Sequence, residues 1–358
     1  MTRGSEFSKT SCKYIKKQVL KMSQNVVAVA IAALSLLNYS VAGQSALASA
    51  GQPAAPPNDA TNSYGMAAQG NRWIMGASLD YSYVSYGMAA QGNRWTMGAS
   101  LDYSYVGGGD ISFQGIKGNS DAQSFNANVA AEIPVNDKWF VPVGIGSRNL
   151  FLGTVANAPI PDQINTLGFN AGVGYRFNDQ WTFAGSVGPR FYRLDGVDGD
   201  DVGVSGMFRA TYKWKPNLTL GFGIGFEPDS QVPVLPAAGL RWDIRTNLTL
   251  NLMWPRPALI YRVDNQFEVF VAGGGNFTVF RTDQNLGDKI GQPAFDHALG
   301  TYRDFHIGAG AEYRLVRGLS IGVEGGYSLG REIDYTRIDQ TLSFGSSPYF
   351  QVGLKYRF

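Results

Sequence analysis

Along most of the chain, apolar and aromatic residues take every second position. The last twelve residues carry the pattern plainly: Phe350, Val352, Leu354, Tyr356 and Phe358 alternate with Gln351, Gly353, Lys355 and Arg357. Side chains on a strand point alternately to its two faces. One face of this segment is therefore apolar, and the other is polar, small or basic. The alternation recurs in Phe125–Ile133, Leu167–Phe177, Val202–Trp214, Phe305–Leu315 and Leu319–Leu329, and in the runs between them. It predicts fourteen strands between Trp95 and Phe358.

Connection lengths support that reading. Tight turns are predicted at Pro134–Asp137, Asn178–Gln180, Lys215–Asn217, Arg245–Asn247, Asp264–Gln266 and Val316–Gly318. Longer links at 153–163, 195–201, 281–302 and 331–346 take turns with them, apart from a compact link at Pro255–Pro257. Short turns on one side, longer loops on the other and an even strand count are the organisation of a membrane barrel. The fold class expected is all-β: a transmembrane, antiparallel, up-and-down β-barrel of about fourteen strands. Pro142 and Pro189 fall inside predicted strands and are expected to mark bulges.

Composition agrees. Charged residues make up 16% of the chain and Gly 45 of 358 positions, against about 25% and about 7% in ordinary soluble domains. The formal charge of +2 comes from the N-terminus. Without residues 1–48, 24 basic residues face 27 acidic ones, so no nucleic-acid-binding footprint remains. Lys13, Lys16, Lys17 and Lys21 precede the apolar run Val26–Leu37, and Ala46-Leu47-Ala48 follows. A charged region, a short apolar core and a small-x-small site form a secretory signal over residues 1–48. Cys12, the single cysteine, lies within it, so no cysteine-based metal or redox site is expected. Residues 63–84 recur as 85–106 with Ile74 replaced by Thr96. Only the second copy is expected in the wall. Residues 49–93 are then a flexible periplasmic arm, and 94–358 the barrel.

An alternating chain end that closes on Phe358 resembles the terminal strand of Gram-negative outer-membrane β-barrels. In outline the chain is similar to outer-membrane barrel families of unassigned activity. The resemblance implies an outer-membrane location, contact with its lipid, and recognition of Phe350–Phe358 by the barrel-assembly machinery. It brings no substrate. The apolar face would meet acyl chains, with Trp95, Trp139, Trp181, Trp214, Trp254 and Phe358 forming an interfacial girdle.

The other face supplies the candidate lumen residues Glu324, Glu312, Arg314, His306, Glu268, Arg262, Arg209, Arg190 and Lys355. Both signs occur in similar numbers among the inward positions. Mixed rings of this kind would line a water-filled path; paired with one another, the same residues would close the lumen. Glu324, mid-strand in a Gly-rich neighbourhood, is the strongest candidate for a conductance residue. Catalysis has little support, since His297 and His306 are the only histidines. The acidic loop Asp195–Asp201 lacks the spacing of a full Ca²⁺ loop. No cofactor, metal or enzymatic activity is expected.

The first functional expectation is a passive pore for small polar solutes. The second is a closed structural or adhesion barrel presenting loops 281–302 and 331–346. The third is a hydrophobic-compound transporter, which would need a folded N-terminal plug; residues 49–93 carry no motif resembling the hatch of the fatty-acid transporter family. Cleavage is expected after Ala48, with Ala50 a close second, so N-terminal sequencing of protein purified from membranes is expected to begin at Ser49 or Gly51. A sequence starting at Met1 would overturn the signal assignment.

Overall fold

The computed structural model describes residues 96–194 and 197–357. The signal and arm expected over 1–93 lie outside these residues, as do Trp95 and Phe358. The described strands form one antiparallel sheet: β1 Thr96–Phe113, β2 Ile116–Pro134, β3 Trp139–Leu152, β4 Gln163–Arg176, β5 Trp181–Phe191, β6 Val202–Lys215, β7 Leu218–Phe226, β8 Val234–Arg245, β9 Leu248–Asn251, β10 Ala258–Arg262, β11 Phe267–Arg281, β12 Leu299–Val316, β13 Leu319–Tyr335, β14 Gln340–Phe344 and β15 Ser347–Arg357. β14 and β15 lie end to end, and both sit between β13 and β1. Fifteen strands thus fill fourteen positions of a closed barrel.

Three of the short turns are built alike. Asn136 Oδ1 accepts from the backbone N–H of Lys138 and Trp139, at 2.9 and 2.8 Å. Asn178 Oδ1 does the same for Gln180 and Trp181, and Asp264 Oδ1 for Gln266 and Phe267. A short acceptor side chain that captures the next two free amides replaces the missing ladder bonds and fixes the turn. Each turn delivers an aromatic residue to the first position of the rising strand. In the β12–β13 turn Gly318 has φ +87°, and a Cβ there would fall 2.3 Å from the Arg357 carbonyl oxygen. Only glycine fits that site.

Two expectations about the wall are corrected. Pro142 and Pro189 make no bulge: the ladders that flank β4 skip pairs beside each proline and resume in the same register. A proline without an N–H removes a bond without adding a residue. The segment 331–346 is not a loop either. β13 continues to Tyr335 and returns as β14 after a single 3₁₀ turn, and β1 and β2 likewise extend upward to a two-residue hairpin at Gln114-Gly115. The alternation of short and long links therefore fails at these two hairpins.

The outward face is apolar and uncovered. Val187, Val271, Tyr327 and Leu329 are 57%, 53%, 59% and 58% exposed. An uncovered apolar surface running round a whole barrel is incompatible with water and suits acyl chains. On β12 the outward run extends from Phe305 to Leu315, the length that a tilted strand of roughly 9–11 residues needs to cross a bilayer. Above it the same face turns ionic, where Arg303 bonds Glu332 (2.9 Å) and Asp334 (3.2 Å). Near the short turns, Trp139 packs tilted against Tyr175 and Trp181 stacks on Tyr212, at positions of the expected girdle.

Inside, the loop end of the barrel is packed solid. Ile111, Phe113, Leu150, Leu152, Phe280, Tyr302, Ile333, Tyr335, Leu342 and Phe344 meet Ala158, Ile160 and Phe295, which the loops 153–162 and 282–298 fold inward. Phe280, Ile333, Tyr335 and Leu342 are 0% exposed. Arg331 is also buried there; its Nη2 donates to the carbonyls of Gly107 and Ser120, and its guanidinium lies 5.0 Å from the Phe344 ring. Phe280→Ala is expected to cost about 3–5 kcal/mol, the usual penalty for emptying a buried aromatic site. Urea unfolding in lipid vesicles measures it; a loss below about 1 kcal/mol would mean that the outer core is not a packed unit.

Candidate functional site

Below the outer core the inward residues become polar, because strand alternation now places Ser, Asn and charged side chains on the lumen face. The short-turn end opens into a basin of about 1540 Å³. Lys138, Arg176, Arg209, Lys213, Arg241, Arg256, Arg262, Arg314, Arg317, Lys355 and Arg357 line it, against Glu132, Asp137, Asp179, Asp243, Glu268 and Glu312. The near balance of signs expected from sequence gives way here to eleven cations and six anions. A charge excess of this size in a low-dielectric cleft concentrates counter-ions.

Deeper in, a chamber of about 100 Å³ is lined by Ser100, Asp102, Ser104, Asn126, Asn128, Asn276, His306, Gln351, Lys355 and Glu324. Ser100, Arg256, Glu312 and Lys355 border both spaces, so the chamber continues the basin inward. Its wall is dense in amides and hydroxyls, groups that both donate and accept hydrogen bonds.

The two spaces meet at an ionic latch. Arg256 Nη2 bonds Glu324 Oε2, and Tyr349 Oη donates to Glu324 Oε1 at 2.5 Å. The Arg256 guanidinium lies 4.8 Å from the Phe270 ring centre. Glu324 is 5% exposed, so the arginine neutralises a carboxylate that would be costly to bury alone. Arg256 comes from the link between β9 and β10, whereas Glu324 and Tyr349 come from β13 and β15.

Of the nine predicted lumen residues, six line the basin: Glu312, Arg314, Glu268, Arg262, Arg209 and Lys355. Lys355 Nζ bonds Glu312 at 2.7 Å, and Arg209 bonds Glu132 at 2.6 Å. Arg262 and Arg314 donate to the turn carbonyls of Thr246 and Asn265. Glu324 and His306 belong to the chamber; the His306 ring lies 4.9 Å from that of Tyr349, with Nδ1 4.0 Å from Asp304. Arg190 stands apart, buried at the upper end of β5 beside Glu227 (3.4 Å). Sequence reasoning missed Arg256. The available signal was a lone arginine between two prolines in the compact link Pro255–Pro257. It also placed Trp254 in the girdle, whereas Trp254 packs on Phe277 beside that link.

A second ionic cluster ties down the outer lid. Loop 282–298 carries helix α1 (Leu286–Ile290) and donates Phe295 to the outer core. Asp201, 0% exposed on the neighbouring loop, is bonded by His297 Nε2 at 3.1 Å and lies 3.7 Å from Arg281 Nε. Burial pushes the Asp201 carboxyl up, but the Asp198 backbone N–H, His297 and Arg193 outweigh it and hold the group below the usual carboxylate range. Among the described residues no group of His, Cys, Asp and Glu could hold a metal ion.

Three comparisons with known proteins bear on the chain. A family profile described as "Domain of unknown function (DUF6268)" matches residues 117–357. No curated protein matches the chain. Among solved structures, an outer membrane channel of Pseudomonas putida F1 overlaps with TM-score 0.41 at 9% identity, over 74% of this chain and 95% of that one. The P. putida toluene transporter TodX gives 0.34 at 13% identity, over 75% and 90%. The Ralstonia pickettii toluene transporter TbuX gives 0.35 at 11%, over 75% and 90%. With TM-scores this low, the likenesses carry nothing over to this chain.

The lid makes a pH prediction. A depressed folded pKa means that the Asp201 contribution is fully present above the unfolded value of about 3.9, and is lost as pH falls through the lower folded value. Hydrogen exchange in 282–298 is expected to rise below about pH 4. In Asp201→Asn it should already be raised at pH 7, with little further acid response. Unchanged exchange in that variant would release Asp201 from the role.

Proposed function

Since the chain belongs to the family of the Domain of unknown function (DUF6268), whose description supplies no activity, we propose from the lumen itself that this is an outer-membrane transport barrel that admits small anionic solutes. The observation that carries the reading is the basin, with eleven basic and six acidic side chains around about 1540 Å³ at the short-turn end. Short turns belong on the periplasmic side of such barrels, so the basin faces the periplasm. Beyond it, the amide- and hydroxyl-rich chamber can replace part of a solute's hydration shell.

A permanently open pore fits less well. A path along the axis would cross the outer core of Phe113, Phe280, Tyr302 and Tyr335, all buried. Passage therefore requires a conformational step, and the Arg256–Glu324 latch sits where such a step would be controlled. The packed outer end also suits a closed structural barrel, the runner-up, but that reading has no use for a cationic basin.

Ser100 borders both spaces, so Ser100→Cys with Cys12→Ser reports access. The anionic reagent sulfonatoethyl methanethiosulfonate and its cationic trimethylammonioethyl counterpart are compared, each rate divided by its rate with free cysteine. The anionic reagent is expected to be favoured roughly ten-fold at low salt, with the preference shrinking toward one as salt screens the basin. Arg176→Glu with Arg314→Glu should reduce it. A normalised ratio at or below one would sink the anion reading.

A further inference from the structure

Among the described residues, the wall is unzipped between β8 and β11. β9 and β10 are only four and five residues long. Above Arg241, β8 pairs with β7 alone, apart from a bond from the Leu252 N–H to the Leu240 carbonyl (2.7 Å). Above Ala272, β11 pairs with β12 alone, apart from bonds from the Gly273 N–H to the Pro257 carbonyl and from the Arg281 N–H to the Tyr192 carbonyl, at 2.9 and 3.3 Å. The upper half of β11 also leans into the lumen. Arg148 Nη1 on β3 donates to the Phe277 carbonyl (3.3 Å) and to Thr278 Oγ1 (2.7 Å). Along the outward face of β11, Val271 is 53% exposed, but Phe277 and Val279 are 2% exposed. The strand leaves the lipid surface partway up.

The segment Leu252–Pro257 spans the gap that remains. Its Trp254 covers Gly275, where a Cβ would come within 3.0 Å of the indole, and packs on Phe277 at 5.9 Å between ring centres. The indole Nε1 is buried without a hydrogen-bond partner, whereas buried indoles normally find one. On the inner side the chamber reaches Pro255, Gly274 and Gly275. On the outer side Leu252 and Val234 stand 45% and 51% exposed in the apolar band. Two residues on, Arg256 holds the same segment to Glu324.

Resting on the anion-accepting reading above, we infer that Leu252–Pro257 is a side door in the barrel wall for anionic amphiphiles. The apolar body of the solute passes between the chamber and the acyl layer past Trp254. Its anionic head is met by Arg256 and the basin cations. Arg256 cannot serve both the head and Glu324 fully, so arrival of the head loosens the latch and, with it, the segment that carries Trp254. The outer core bars the axis, and the door lies where ladder pairing across the wall is missing.

Asn276 lines the chamber beside Gly275, so Asn276→Cys, with Cys12→Ser in the full chain refolded into phosphatidylcholine vesicles, reports on both routes. N-(1-pyrenyl)maleimide dissolved in the acyl phase reaches it only through the wall; the sulfonatoethyl reagent reaches it from the basin. Trp254→Ala is expected to speed the pyrenyl reaction at least five-fold, and Glu324→Gln, which frees the latch without shortening a side chain, to speed it several-fold. Trp181→Ala, remote from the gap, should leave it unchanged. Dodecanoate should protect the cysteine from both reagents and dodecyltrimethylammonium from neither. Equal pyrenyl rates in all variants would overturn the door while leaving the basin standing. Loss of dodecanoate protection together with loss of anionic preference at Ser100→Cys would remove the basin reading and the door with it.

Discussion

The constraint on which the structure rests is the backbone in hydrocarbon. A strand in lipid has no water to satisfy its N–H and C=O groups, and each unmet group costs several kcal/mol. The sheet must therefore close on itself, which it does where β1 meets β14 and β15. Closure sorts the residues: the apolar alternates face acyl chains, and every polar alternate is committed to a shared interior. The lumen's chemistry follows from that sorting.

The interior is then divided by what each height of the barrel brings to it. Toward the short turns, neighbouring strands contribute charged residues and the lumen stays wide. Toward the loops, several strands outrun the membrane, and both of their faces become available for burial. Their inward residues there are Ile, Leu, Phe and Tyr, so the extension condenses into a core much as a soluble domain would. One polypeptide tube thus holds a wet, cationic lower half and a dry upper half. The latch of Arg256, Glu324 and Tyr349 lies within the polar half, where the basin meets the chamber.

The short β9–β10 hairpin is the exception to closure, and its cost is offset locally. Pro255 and Pro257 have no N–H to leave unpaired, and Trp254 covers part of the exposed edge with a ring instead of a strand. The substitution keeps lipid out with side chains, which can move, in place of ladder bonds, which cannot do so singly. A wall patched this way can be regulated by one ion pair.

The sequence alone determined the barrel, its strand number and which residues of each strand share a face. These follow from period-two alternation, which is local and survives any change of partner. The tight turns at Pro134–Asp137, Asn178–Gln180 and Asp264–Gln266 were legible because turn signals are local as well. The outer core was not. Alternation reports which face a residue takes, but not whether the strand is still inside the membrane at that height, so 331–346 reads as a loop. Nor was the site: the excess of cations in the basin, the latch and the gap in the wall depend on which strands lie opposite one another across the lumen. Arg256 and Glu324 are 68 residues apart in sequence. Only the curvature of the closed sheet brings them together.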